Sequence, residues 1–133
     1  MMTKVIIIKN ELGAIFQDTV YDYWVTCKLE NNTELRLFDY QPIDVSDYLN
    51  KSVIIKIKAL FIEKAFNEKL RSFYGKLEEL NGDFFFKNDF VSIQINKEDI
   101  EAENLPLNTF ETFYFGRLDI LSIKELNNES PQL

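Results

Sequence analysis

The chain contains no histidine. That removes the side chain most often used as a general base near neutral pH and most often bound to a transition metal. It also denies the chain any Ser–His or Cys–His relay of its own. One cysteine, Cys27, is present, so no intrachain disulfide can form and no thiolate cage for zinc can be assembled. Proline and glycine number three and four, and no Gly/Ser linker, repeat or low-complexity tract divides the chain. The N-terminal apolar run, Val5 to Ile8, is too short for a signal peptide, and nothing approaches membrane-spanning length. A cytoplasmic home is the expectation. The acids do not follow the Asp-x-Asp-x-Asp-Gly order of a calcium loop. These absences point away from an enzyme and away from any cofactor or metal.

What is present is core material. The 133 residues are 46% hydrophobic and 14% aromatic, with twelve phenylalanines. That suits one globular domain, expected over 1–126, with 127–133 as a flexible tail. Fifteen basic residues against twenty-two acidic ones leave a formal charge of −7 and a pI near 4.6. Such a charge repels phosphate backbones and anionic membranes at long range and complements a basic protein surface.

Alternation dominates the pattern. Val5 to Ile8 reads as a short strand, followed by a turn over Asn10, Glu11, Leu12 and Gly13. From Thr19 to Leu29, Tyr21, Tyr23, Val25, Cys27 and Leu29 share one face; Asp22, Trp24, Thr26 and Lys28 share the other. Cys27 on the apolar face reads as a small buried hydrophobe. A turn at Glu30 to Thr33 leads back through Glu34 to Tyr40, completing a hairpin. After Pro42, Ser46 is placed to cap one helical turn. Ser52 to Leu60 alternates strongly. Ile62 to Arg71 carries apolar residues at helical spacing and is expected to be a helix, with a strand from Ser72. Asn81-Gly82 would stop a helix and is also a hairpin turn signal, so helix or strand stays open up to Leu80. Asp83 to Phe86 and Phe90 to Ile95 read as strands, Lys97 to Glu103 as a polar connection or one helical turn, and Phe113 to Ile123 as a final strand with a bulge at Gly116.

The expected architecture is mainly β: a small antiparallel, partly open barrel with one or two short helices. The order of three strands, a helix, then further strands resembles the oligonucleotide/oligosaccharide-binding (OB) barrel, with Leu49-Asn50-Lys51-Ser52-Val53 similar to the entry of its third strand. An SH3/Sm-type barrel is the second resemblance, carried by Val53 to Ile57, Tyr74-Gly75-Lys76-Leu77 and Asn81-Gly82.

Two candidate surfaces follow. The first is acidic: Glu98, Asp99, Glu101 and Glu103, with Asp44 and Asp47. It suits docking on another protein with a basic surface, as an immunity protein or an inhibitor of a nucleic-acid enzyme would do, and a non-catalytic protein-binding module is the leading expectation. The second is aromatic. Tyr21, Tyr23, Trp24, Phe38 and Tyr40 lie on the first hairpin, where OB-like domains stack the bases of single-stranded nucleic acid. The net charge speaks against this alternative. Trp24 falls among polar neighbours on the face opposite Val25, and is expected either to be covered by another strand or to bind a partner.

Overall fold

A computed structural model of the chain describes residues 1–65 and 72–126. Twelve strands run in the order β1 (Thr3–Leu12), β2 (Ile15–Phe16), β3 (Thr19–Val20), β4 (Tyr23–Lys28), β5 (Glu34–Asp39), β6 (Ser52–Ala59), β7 (Ile62–Lys64), β8 (Ser72–Leu80), β9 (Asp83–Lys87), β10 (Ser92–Ile95), β11 (Glu111–Phe115) and β12 (Leu118–Glu125). A 3-10 turn, Val45–Tyr48, follows β5, and one short helix, α1 (Lys97–Ala102), follows β10.

Five strands close into a barrel in the order β1-β4-β5-β12-β6, with β6 returning to β1. Every barrel pairing is antiparallel except β5 with β12, which is parallel. This is a Greek-key barrel, and its strand order is that of the OB type. An SH3/Sm barrel would need Tyr74-Gly75-Lys76-Leu77 inside the closed ring, but β8 lies outside it. Strands β7 to β11, inserted between β6 and β12, extend the sheet from β6 as β10-β9-β8-β11-β7, while β2 and β3 form a separate two-stranded sheet. The second edge of β6 is therefore shared: Ser52 to Ile55 pair with β1, and Ile57 and Lys58 pair with β10. Thr3 bridges the handover. Its Oγ1 donates to the Ser92 carbonyl at 3.1 Å and accepts from the Ser92 amide at 2.9 Å.

Alternation decides the faces, because successive strand side chains point to opposite sides. Val5, Ile7, Val25, Cys27, Leu35, Leu37, Val53, Ile55, Ile57 and Ile120 are buried and fill the barrel. Phe86, Phe113, Phe115, Leu77 and Ile62 form the core under the inserted sheet, with Phe86 edge-on to both Phe113 and Phe115. The two cores are contiguous. Gly75 is obligatory for this packing, since a Cβ there would lie 2.5 Å from the Phe86 ring and from the Lys87 carbonyl oxygen.

Several local expectations are corrected. β1 does not stop at Ile8. It continues to Leu12 across a bulge that absorbs Ile8, so Asn10 to Leu12 are strand rather than turn. The turn falls at Gln17-Asp18, both at positive φ, inside the small β2–β3 hairpin. Asp44, not Ser46, caps the 3-10 turn by accepting the Ser46 amide. The expected helix from Ile62 begins instead as strand β7, whose residues find a hydrogen-bonding edge on β11; the 66–71 part lies outside the described residues, as does the tail at 127–133. The single strand from Phe113 to Ile123 is two, broken at Gly116, where a Cβ would meet Phe61 at 2.9 Å. The bulge of that region sits at Leu121.

Candidate functional site

The outer face of the β4–β5 hairpin carries a row of packed aromatic and guanidinium groups. Trp24 and Phe38 are directly paired across the two strands, and their ring centroids lie 4.7 Å apart at 53°. The Arg36 guanidinium lies 4.3 Å from the Trp24 centroid, and that of Arg117 lies 4.5 Å from the Phe38 centroid. The sequence is thus Arg36, Trp24, Phe38, Arg117. Local register explains three members. Arg36 and Phe38 have the same strand parity, and Trp24 faces Phe38 across the pair. Arg117 arrives from the far end of the chain because β12 lies parallel beside β5, with Asp119 opposite Phe38.

Asp119 anchors the row. It is buried, and both its oxygens accept from Arg117, Nε at 2.6 Å and Nη2 at 3.1 Å. The fork-to-fork geometry fixes the guanidinium plane and is charge-assisted. It also raises the Arg117 pKa above the usual arginine value, with the charges of Asp119, Tyr40 and Asp22 acting in the same direction. Among the described residues Arg36 has no such partner.

The local charge differs from that of the whole chain. Lys4, Lys9, Lys28, Lys56, Lys58 and Lys124 sit at outward positions of the barrel strands along with Arg36; the outward acids there are Glu11, Glu34 and Asp119, with Glu125 exposed at the end of β12. Much of the −7 resides in turns, in α1 and in the inserted strands.

The expected aromatic set divides. Trp24 and Phe38 come together, half-buried, and Trp24 is covered by Arg36 and Phe38 rather than by another strand. Tyr40 is exposed just past β5. Tyr21 is exposed at the base of the β2–β3 hairpin, off the β4 strand. Tyr23 is not available for stacking. It shares the inward register of Val25, and its hydroxyl donates to Asp44 Oδ2 at 3.2 Å. Desolvation first, then the neighbouring Asp44 carboxylate, raises its pKa.

The expected acidic set also divides. Asp44 is a structural hub, accepting from Asn10, Tyr23 and the Ser46 amide. Hydrogen bonds, first from Ser46 and then from Tyr23 and Asn10, hold its carboxyl below the usual value. Asp47 is exposed on the 3-10 turn, which contacts β1. Glu98, Glu101 and Glu103 are exposed on or beside α1, which contacts β7; Glu101 is paired to Lys97 at 3.6 Å. Asp99 is half-buried, with one carboxylate oxygen lacking a hydrogen-bond partner.

Asp39 is fully buried, and its oxygens accept the Ile43 and Asp44 amides at 2.7 and 2.8 Å. It shapes the loop rather than a surface. Cys27 is buried as expected, and desolvation pushes its thiol up to about 12. No helix among the described residues is long and apolar enough to cross a membrane. Neither protein-family models nor curated proteins nor solved structures gave a match to this chain.

Proposed function

We propose that the protein binds single-stranded nucleic acid on the outer face of β4 and β5. The observation that carries this reading is the Arg36–Trp24–Phe38–Arg117 row on the barrel surface. Bases stack on aromatic faces and on guanidinium planes, and arginine supplies phosphate contacts from the same side chain. The outward lysines of the barrel strands support it by giving a polyanion a locally basic approach within an acidic protein. OB-type barrels use this face, strands two and three, for oligonucleotides and oligosaccharides.

Fluorescence anisotropy with a labelled oligothymidylate at low salt tests the reading. Binding in the micromolar range is expected. Trp24→Ala should weaken it about tenfold or more, and Arg36→Ala should weaken it while flattening its salt dependence. An oligonucleotide that stays unbound at tens of micromolar protein, about the strength of ordinary non-specific contact, removes the proposal.

A second reading is docking on a basic protein through Glu98, Asp99, Glu101 and Glu103. The three exposed glutamates Glu98, Glu101 and Glu103, gathered on and beside α1, favour it. Reversing the charge of Glu98 and Glu103 to lysine should abolish a salt-sensitive complex with a basic partner and leave oligonucleotide binding undiminished. A complex unaffected by that change refutes this second reading.

A further inference from the structure

On the inserted sheet, exposed aromatic rings converge on one open groove of about 530 Å³. Tyr74 on β8 and Phe110 just before β11 stand beside each other with centroids 5.8 Å apart and planes at 26°. They are 62% and 53% exposed, and Phe90, at 42%, lines the same groove. Among the described residues no arginine lies on these rings, unlike Trp24 and Phe38. The volume falls in the range of small-molecule sites. Bare aromatics in such number normally sit against a ligand or partner, because the water-exposed ring surface is costly.

The groove wall is built and charged. Asn88 fixes the turn that presents Phe90: its Nδ2 donates to the Tyr74 carbonyl, and its Oδ1 accepts the Phe90 and Val91 amides at 2.8 and 3.0 Å. Lys76 and Lys87 face each other directly across β8 and β9. Like charges in that position cost stability. They share one acid, Glu78, at 3.6 and 3.3 Å, so the pair keeps an excess positive charge. Lys76 Nζ also lies 5.6 Å from the Phe110 centroid, which brings the cation to the edge of the stacking surface. Asp89, on the turn, lines the same groove and offsets part of that charge.

We propose that this groove binds a planar aromatic ring carrying an anionic group, the ring stacking on Tyr74 and Phe110 and the anion meeting Lys76 and Lys87. A free nucleotide and one nucleotide unit of a strand share that chemistry. The site uses none of the residues of the barrel row, so it stands or falls separately from the function proposed above.

The test is an NMR and calorimetric titration of the full chain at low salt with adenosine 5′-monophosphate, adenosine and inorganic phosphate. The monophosphate should shift the Tyr74, Lys76, Lys87 and Phe110 resonances while the emission of Trp24, the only tryptophan, stays constant. It should bind about tenfold or more tightly than either fragment. The exposed double variant Tyr74→Ala/Phe110→Ala should lose about tenfold or more. Lys76→Gln with Lys87→Gln should reduce the monophosphate to the affinity of adenosine and leave adenosine unchanged. A short oligoadenylate that binds more tightly through the same residues identifies a strand as the source; equal affinity identifies the free nucleotide. The proposal is overturned if no groove resonance moves at about 10 mM monophosphate or if adenosine binds equally well.

Discussion

The barrel and the inserted sheet share strand β6 but solve their packing differently. The barrel interior is filled by β-branched and medium aliphatics, Val5, Ile7, Val25, Val53, Ile55 and Ile57, with Cys27 as a small filler. The inserted core rests on Phe86, Phe113 and Phe115, with Gly75 cleared to admit the Phe86 ring. A closed ring of five strands leaves little room between facing side chains, and branched residues suit it. The inserted sheet does not close on itself by strand pairing, so larger rings bridge its faces. The outer surfaces differ in the opposite sense: arginines cover Trp24 and Phe38 on the barrel, while Tyr74, Phe90 and Phe110 on the insertion are largely exposed.

The largest effect that bears on this contrast is expected at Phe86. Phe86→Ala removes the ring that touches both Phe113 and Phe115 and should cost about 3–5 kcal/mol. Because the cores are contiguous through β6, chemical denaturation of this variant should still show one transition by circular dichroism and by Trp24 fluorescence. Two separated transitions would break the comparison into two independent folding units.

Asp39 comes next. Asp39→Ala deletes a buried acceptor of two loop amides and should cost about 2–3 kcal/mol, measured by urea denaturation. A loss below about 0.5 kcal/mol would mean that water replaces the carboxylate and that this barrel end is open. Trp24→Ala should cost less, about 1–2 kcal/mol, since it removes one tilted ring pair and one cation–π contact from a half-buried face. A cost in the Phe86 range would show that Trp24 is a core residue after all.

The smallest effect is at Asp44. Its folded carboxyl titrates below the usual value, so the stabilisation it gives is fully present above about pH 4 and is lost as pH falls through the lowered value. The group is exposed, and solvent screening holds the gain below about 0.5 kcal/mol. Asp44→Asn should therefore lower the melting temperature slightly at pH 7, and the difference from the parent should vanish near pH 2.

Local alternation made the barrel legible. The faces of β4, β5 and β6 follow directly from residue parity, and with them the outward position of Trp24 and Phe38. Asn81-Gly82 carries its turn with both residues at positive φ. What depended on distant partners was not legible. Ile62 has helical spacing toward Phe66 and Leu70, but an available edge on β11 outweighs that spacing for Ile62 to Lys64. Arg117 is missing from any reading of the first hairpin because only the parallel β5–β12 contact delivers it. Net charge hides a local difference for a similar reason: it averages acidic turns with barrel strands whose outward cations outnumber their acids. Arg36 was within reach, since its parity matches that of Phe38, two residues on.

The position of β12 also imposes an order of events on folding. It is the wedge between β5 and β6, yet it follows β6 only after the whole insertion from β7 to β11. A chain emerging from the ribosome can form β1, β4, β5 and β6 early, but the ring stays open until Leu118–Glu125 is available. During that interval β5 and β6 each expose an unpaired edge, the surface through which partly folded chains join one another. The β6 edge is flanked by Lys56 and Lys58, whose like charges oppose the approach of a second identical strand. The same lysines that give the finished barrel its local positive charge thus also guard the unfinished one against self-association.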